Sequence, residues 1–107
     1  MKIALQARAF DVPDEEDPTE SAARCAVAII EHLSRGDQVV LDVNDLRGAS
    51  STYFNTLFLT VLDAVSSHEL GWLSVESTSA LLREVIRRSR EAALARVTSR
   101  EASRGSG

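Results

Sequence analysis

Three consecutive hydroxyl residues, Ser50, Ser51 and Thr52, are the side chains of this sequence best placed to do chemistry. They follow an apolar run that ends near Asp42 and a polar turn that contains Gly48, and a strongly apolar segment comes after them. A hydroxyl at the start of a helix is a good acceptor for a phosphoryl group, because free backbone N–H groups and the helix dipole stabilise the added charge. The simpler interpretation is that Ser50 or Ser51 only caps the helix, since serine is common there.

The other reactive side chains stand alone in the sequence. Cys25 is the single cysteine and lies among alanines, which predicts a buried thiol on a helix and fits a reducing compartment. His32 and His68 have no ligand companions at metal-binding spacing, so we expect both to face solvent and expect no metal site. The sequence also has no glycine-rich phosphate loop and no nucleophile elbow. We therefore expect no cofactor and no enzymatic activity.

Charge and hydropathy narrow the classes of partner. The net charge of −4 gives no overall attraction to nucleic acid or anionic lipid. Arg83, Arg87 and Arg90 share one face of the last predicted helix, but Glu84 and Glu91 interleave with them and no aromatic side chain is present to stack on bases. This pattern indicates a solvated helix face. No apolar run approaches the roughly 18 residues of a membrane span, and no signal-peptide pattern opens the chain, so we expect a cytoplasmic protein.

Hydrophobic periodicity predicts three strands and three helices in alternation. The strands are expected at Met1–Phe10, near a sheet edge, at Val39–Val43, and at Trp72–Glu76. The first helix is expected to run from Pro18, after Asp17 as N-cap, to about Ser34. The second is expected over Thr52–Val65, and the third is expected to follow a cap at Thr78 or Ser79. Gly36 is expected to end the first helix, and Ser66–Gly71 to be a loop.

These elements predict an α/β fold with the order β-α-β-α-β-α. Alternating strands and helices imply a sheet of about three to four strands with parallel pairs packed against helices. A chain of 107 residues suits a single domain, which we expect over residues 1–97, with a flexible C-terminal tail over 98–107. The helix over Thr52–Val65 is apolar on more than one face, so we expect it to be central or to pack against a partner.

The segment VVLDVNDLRGASSTYFNTLFLTVLD resembles the STAS domains of anti-sigma-factor antagonists, and more closely the smaller STAS-like family. The family's strand is matched by Val40–Val43, its turn by Ala49–Ser51, and its apolar helix by Phe54, Leu57 and Phe58. The later strand and helix of the family resemble Leu73–Ser77 and Leu82–Ile86, so the likeness covers roughly residues 17–93. Ser50 stands where the family usually has Asp.

The resemblance implies a small STAS-like sandwich that acts as a protein-interaction module in bacterial signalling. It implies a partner that is an ATPase or kinase of the GHKL type, and it aligns Ser51 with the serine that such a partner phosphorylates, with Ser50 as a second candidate. The docking surface would comprise the first two helices and the turn between strand and helix. Its predicted contact residues are Asp42, Gly48, Ser50, Ser51, Thr52 and Tyr53.

Two other functions stay open at this point. The first is a structural module that forms a homodimer, because Tyr53, Phe54, Phe58 and Leu59 offer surplus hydrophobic surface. The second is an enzyme or nucleotide binder, since one fold can host many functions.

Overall fold

The structure is a computed structural model that describes residues 1–11, 18–44, 46 and 50–105. It is a two-layer α/β arrangement in which helices pack on one face of a three-stranded parallel sheet with the order β1-β2-β3. The strands are β1 (Lys2–Gln6), β2 (Gln38–Asp42) and β3 (Leu73–Glu76). The helices are α1 (Pro18–Ser34), α2 (Ser51–Ala64), α3 (Ser67–Leu70) and α4 (Ala80–Gly105). The predicted α/β fold with parallel strand pairs is confirmed.

Alternation along the strands decides which side of the sheet is covered. In register across the sheet, Ile3, Val39 and Leu73 form one row, and Leu5, Leu41 and Val75 form the next. Val39, Leu41 and Leu73 have almost no exposed surface, because they pack into one hydrophobic cluster with apolar side chains of the helices. The edge position expected for β1 is also confirmed, and there Ile3 and Leu5 are only half-buried.

Helix α2 lies at the centre of the helical layer and contacts both α1 and α4. Six of its side chains are buried: Tyr53, Phe54, Leu57, Phe58, Val61 and Leu62. The apolar character on more than one face therefore reflects a central helix that has neighbours within this chain. Burying a large aromatic or leucine side chain stabilises a fold by about 1.5–3 kcal/mol, so α2 contributes substantially to the stability of the core.

The first helix ends as its sequence predicts. Gly36 has φ +86°, a left-handed conformation that glycine adopts without steric cost. Its N–H donates to Leu33 O at 3.0 Å and the N–H of Asp37 donates to His32 O at 3.1 Å, which is the pattern of a Schellman motif. This turn reverses the chain into β2.

Two expectations about the elements are wrong. The strand expected over Met1–Phe10 ends at Gln6, and Ala7–Phe10 form a 3₁₀ turn that buries Ala7. The loop expected over Ser66–Gly71 contains the short helix α3, which opens with a capping box between Ser66 and Glu69. Helix α4 extends to Gly105, beyond the end of the predicted domain at residue 97, and the flexibility expected over residues 98–107 stays a prediction.

Candidate functional site

The carboxyl ends of β2 and β3 meet at one edge of the sheet, and α2 and α4 begin just beyond them. Asp42 is the last residue of β2 and lies in register with Glu76, the last residue of β3. Ligands of open parallel sheets bind outside the carboxyl ends of the strands, because the loops and helix N-termini gather there. This edge, called the carboxyl edge below, is therefore the candidate site.

Asn44 joins the two loops at the carboxyl edge. Its backbone N–H donates to Asp42 Oδ1 at 2.8 Å, which holds the first residues after β2 in a turn. Its side-chain Oδ1 accepts from the backbone N–H of Thr78 at 3.0 Å and from Thr78 Oγ1 at 3.1 Å. One amide oxygen thus connects the end of β2 to the segment between β3 and α4.

A pocket of about 360 Å³ opens beside this connection. It is lined by Asp42, Asn44, Val75, Glu76, Ser77, Thr78 and Arg83. Two carboxylates and one guanidinium lie among hydroxyl and amide groups, and Val75 adds apolar surface. This chemistry suits charged and polar groups of a protein partner better than an apolar small molecule, whose sites are mostly hydrophobic.

Ser50 and Ser51 stand side by side at the start of α2 but have different roles. Ser50 is the N-cap, with φ −148° and ψ 169°, and its Oγ accepts from the backbone N–H of Tyr53 at 3.3 Å. Ser51 is the first residue of the helix, and its side chain is exposed, as is that of Thr52. The cap and the candidate phosphate acceptor are therefore separate residues.

The predicted contact residues divide into three groups in the structure. Asp42 is half-buried and lines the pocket, and Ser50, Ser51 and Thr52 follow at the start of α2. Gly48 lies outside the described residues. Tyr53 is 0% exposed, so its prediction as a partner contact is wrong: its position in the helix turns the ring into the core.

Tyr53 and Cys25 form a buried polar pair between α1 and α2. Both side chains are 0% exposed, which confirms the buried helical thiol predicted for Cys25. Burial raises the pKa of the Cys25 thiol to about 11, and the nearby Tyr53 hydroxyl opposes this rise only in part. Burial also raises the pKa of Tyr53, whose hydroxyl has no hydrogen-bond partner of acceptable geometry. A thiol that stays protonated is a poor nucleophile, so this pair is structural.

The histidines and arginines only partly follow their predictions. His68 is exposed and meets Trp72 edge to face, whereas His32 is half-buried, with its Nδ1 3.5 Å from Asp37 Oδ2. The prediction that both face solvent is therefore wrong for His32, because the turn after α1 brings Asp37 back onto it. Arg90 is only partly exposed: its guanidinium donates to Leu73 O at 3.4 Å and Leu70 O at 3.5 Å.

Within the described part of the chain, no cluster of three or more His, Cys, Asp or Glu side chains has the arrangement of a metal site. In the same residues, no helix combines the length and the apolar character that crossing a bilayer requires.

The sequence interpretation missed six residues that line the pocket at the carboxyl edge: Asn44, Val75, Glu76, Ser77, Thr78 and Arg83. The available signal was their position, because Asn44 directly follows one parallel strand and Ser77 and Thr78 directly follow the next. Polar residues just after neighbouring parallel strands meet at the same edge. Arg83, one turn into α4, carried no such signal.

Fold and site together define a small α/β domain with an open three-stranded parallel sheet and a polar site at its carboxyl edge. The chain matches no family model, no curated protein and no solved structure.

Proposed function

We propose that this protein is a non-enzymatic docking module of bacterial signalling that binds a protein partner at the carboxyl edge and is switched by phosphorylation of Ser51. The partner class comes from the STAS-like resemblance, which implies a GHKL-type ATPase or kinase. We further propose that the module acts in the cytoplasm, because a single buried cysteine is typical of proteins in reducing compartments.

The main support for this proposal is that Ser50 and Ser51 have different roles at the start of α2. Because Ser50 supplies the capping oxygen, Ser51 can be modified without removing the bond that begins α2. The exposed Ser51 side chain is also within reach of a modifying enzyme. A phosphate at the first position of this 14-residue helix is favoured by the helix dipole, so the helix is expected to remain intact.

Phosphorylation would act on the partner and leave the fold unchanged. A phosphoserine adds about −1.5 to −2 charges at neutral pH, and in an interface this charge must be desolvated or paired. The pocket at the carboxyl edge holds the carboxylates of Asp42 and Glu76 with the guanidinium of Arg83, and a phosphate on Ser51 would add negative charge at the start of α2, the helix that follows β2. A partner surface that fits the unmodified edge is expected to bind the phosphorylated form more weakly.

The chain supplies a matched control for this experiment. Ser66 and Ser67 repeat the arrangement of Ser50 and Ser51, because Ser66 is the N-cap of α3 and Ser67 is its exposed first residue. However, α3 precedes β3 and therefore lies at the opposite end of the sheet. Ser67→Asp thus adds the same charge in the same local setting, away from the carboxyl edge.

The test is affinity capture from the source cell with wild type, Ser51→Ala, Ser51→Asp and Ser67→Asp, followed by mass spectrometry of the bound proteins. We expect a common partner with wild type, Ser51→Ala and Ser67→Asp, and strong depletion of that partner with Ser51→Asp. Equal capture by all four proteins would contradict the switch, and the absence of any specific partner would contradict the docking function.

The alternative, a self-associating scaffold, loses its original basis. It relied on surplus hydrophobic surface at α2, but Leu59 is half-buried, and Tyr53, Phe54 and Phe58 are 0% exposed. Their apolar surface is already covered by neighbouring elements of the same chain. Self-association through another surface is a separate question.

A further inference from the structure

The face of the sheet opposite the helices is uncovered by any described element. Its side chains are all exposed or half-buried: Lys2, Ala4, Gln6, Gln38, Val40, Asp42, Ser74 and Glu76. Parallel sheets are normally covered on both faces, because each of their strands is apolar on both sides. Here the central strand keeps part of that character, since Val40 points to the uncovered face.

The register sorts these side chains into three rows across the strands. Lys2 and Gln38 form the first row, the small side chains Ala4, Val40 and Ser74 form the middle row, and Gln6, Asp42 and Glu76 form the last. Val40 is therefore the centre of the face. Lys2 lies at one corner and Glu76 at the diagonally opposite corner, so the face carries opposite charges at its two ends.

We propose that this open face binds the open face of a second copy of the chain. The copies would be related by a two-fold axis in the plane between the sheets, with Val40 stacked on Val40 of the second copy. Sheets pack face to face either nearly aligned or nearly orthogonal. The proposal is independent of Ser51 and of the signalling partner.

The charged side chains of the open face favour the orthogonal arrangement of the two sheets. A two-fold axis along the diagonal that passes through the Gln6 corner and Val40, and not through Lys2 and Glu76, brings Lys2 of each copy onto Glu76 of the other and places Asp42 over Ala4. An axis parallel to the strands would instead stack Asp42 on Asp42 of the second copy, which puts like charges together. An axis perpendicular to the strands would place Lys2 over the neutral Gln6. Only the diagonal axis therefore pairs both corner charges.

The size of the face limits the strength of this association. Strand spacing and rise give a patch of about 14 by 16 Å, or roughly 220 Å² per copy. This is well below the approximately 800 Å² per partner of a standard interface, so the dimer is expected to be weak and reversible. Because Asp42 and Glu76 belong both to the open face and to the pocket at the carboxyl edge, a dimer of this kind would cover part of the carboxyl edge of each copy.

Sedimentation equilibrium of the purified full chain, up to about 1 mM, tests the proposal because interfaces of this size associate only at high concentration. We expect wild type to dimerise, and Val40→Glu to stay monomeric because two carboxylates would face each other at the centre. Ser74→Lys, at an exposed position of the middle row, places a long charged side chain between the two faces and should also weaken dimerisation. Val27→Glu is the matched control, since Val27 is an apolar residue 54% exposed on α1 and should leave dimerisation unchanged.

The orientation is tested by charge reversal at the two corners. The Lys2→Glu and Glu76→Lys variants should each lower the dimerisation affinity about fivefold. The double variant should recover the wild-type affinity, because exposed ion pairs contribute up to about tenfold to affinity in a coupled pair. Failure of the double variant to recover would overturn the orthogonal arrangement. A wild-type chain that is monomeric at about 1 mM would overturn the proposal that a second copy binds the open face. Folded Val40→Glu and Ser74→Lys variants that dimerise like wild type would overturn it as well.

Discussion

The two faces of the sheet are built from alternate residues of the same strands, yet they have opposite properties. In β2, Val39 and Leu41 are 0% exposed against the helices, while Val40 and Asp42 between them are only half-buried. The covered face holds the structure together through close packing. The open face and the carboxyl edge contribute little to packing and are therefore available to partners. Residues that stabilise the fold therefore alternate along each strand with residues that are open to partners.

The largest expected effect comes from comparing Leu41→Ala with Val40→Ala, two truncations on opposite faces of β2. Leu41→Ala should lower the free energy of unfolding by about 2–5 kcal/mol, because it leaves a cavity in the core. Val40→Ala should cost less than about 1 kcal/mol, since its site is partly open to solvent and no closed cavity forms. Urea denaturation monitored by circular dichroism, at low protein concentration, measures both values. Equal losses would show that the open face is also covered within one chain.

The next effect concerns the connection at the carboxyl edge. Asn44→Ala removes the acceptor of two exposed hydrogen bonds from Thr78 and should lower the free energy of unfolding by about 0.5–1.5 kcal/mol, the usual net contribution of a hydrogen bond. Asn55→Ala, at an exposed position of α2, is the control and should be neutral or slightly stabilising, because alanine is the better helix former. A loss no greater at Asn44 than at Asn55 would mean that the connection does not order the two loops.

A smaller effect of the opposite sign is expected in the core. Tyr53→Phe removes a buried hydroxyl that lacks a hydrogen-bond partner, and should raise the free energy of unfolding by about 1 kcal/mol. Thermal denaturation should show a higher Tm for the variant. A Tm lowered by the substitution would show that the hydroxyl makes a stabilising interaction within the core.

The smallest effect lies on the exposed face of α4. Hydrogen bonds from Arg87 and Arg88 lower the pKa of Glu84 from 4.5 to about 2. Because the folded state favours the ionised carboxylate, its contribution is complete above about pH 4.5 and is lost as the pH falls toward 2. Glu84→Gln should therefore be slightly less stable than wild type at neutral pH, with a difference that disappears in acid and in high salt. A difference that persists in high salt would contradict an origin in exposed charges.

Much of the fold can be predicted from local signals in the sequence. Pro18 and Gly36 bound α1, the run Val39–Leu41 marks the buried central strand, and Ser50 caps α2, each for a reason that depends on neighbouring residues only. The continuation of α4 to Gly105 was missed because the core pattern ends near Val97, whereas alanine, arginine and glutamate favour helix without a core.

The candidate site was only half predictable. Ser50 and Ser51 could be identified because capping is local, but the burial of Tyr53 depends on how α2 is turned between α1 and α4. A helix that is apolar on more than one face does not specify which side is covered. The bond between Asn44 and Thr78 joins residues 34 positions apart, and no local pattern in a single sequence encodes such a pairing.

The most direct test of the proposed function is a titration of the captured partner with protein carrying genuine phosphoserine at position 51 or at position 67. We expect phosphoserine at 51 to weaken binding by about tenfold or more, equivalent to about 1.4 kcal/mol, through charge repulsion and desolvation in the interface. The same modification at 67 should leave the affinity at the wild-type value, because α3 lies at the other end of the sheet. Equal affinities for both forms and the unmodified protein, or an equal loss at both positions, would contradict a switch at the carboxyl edge.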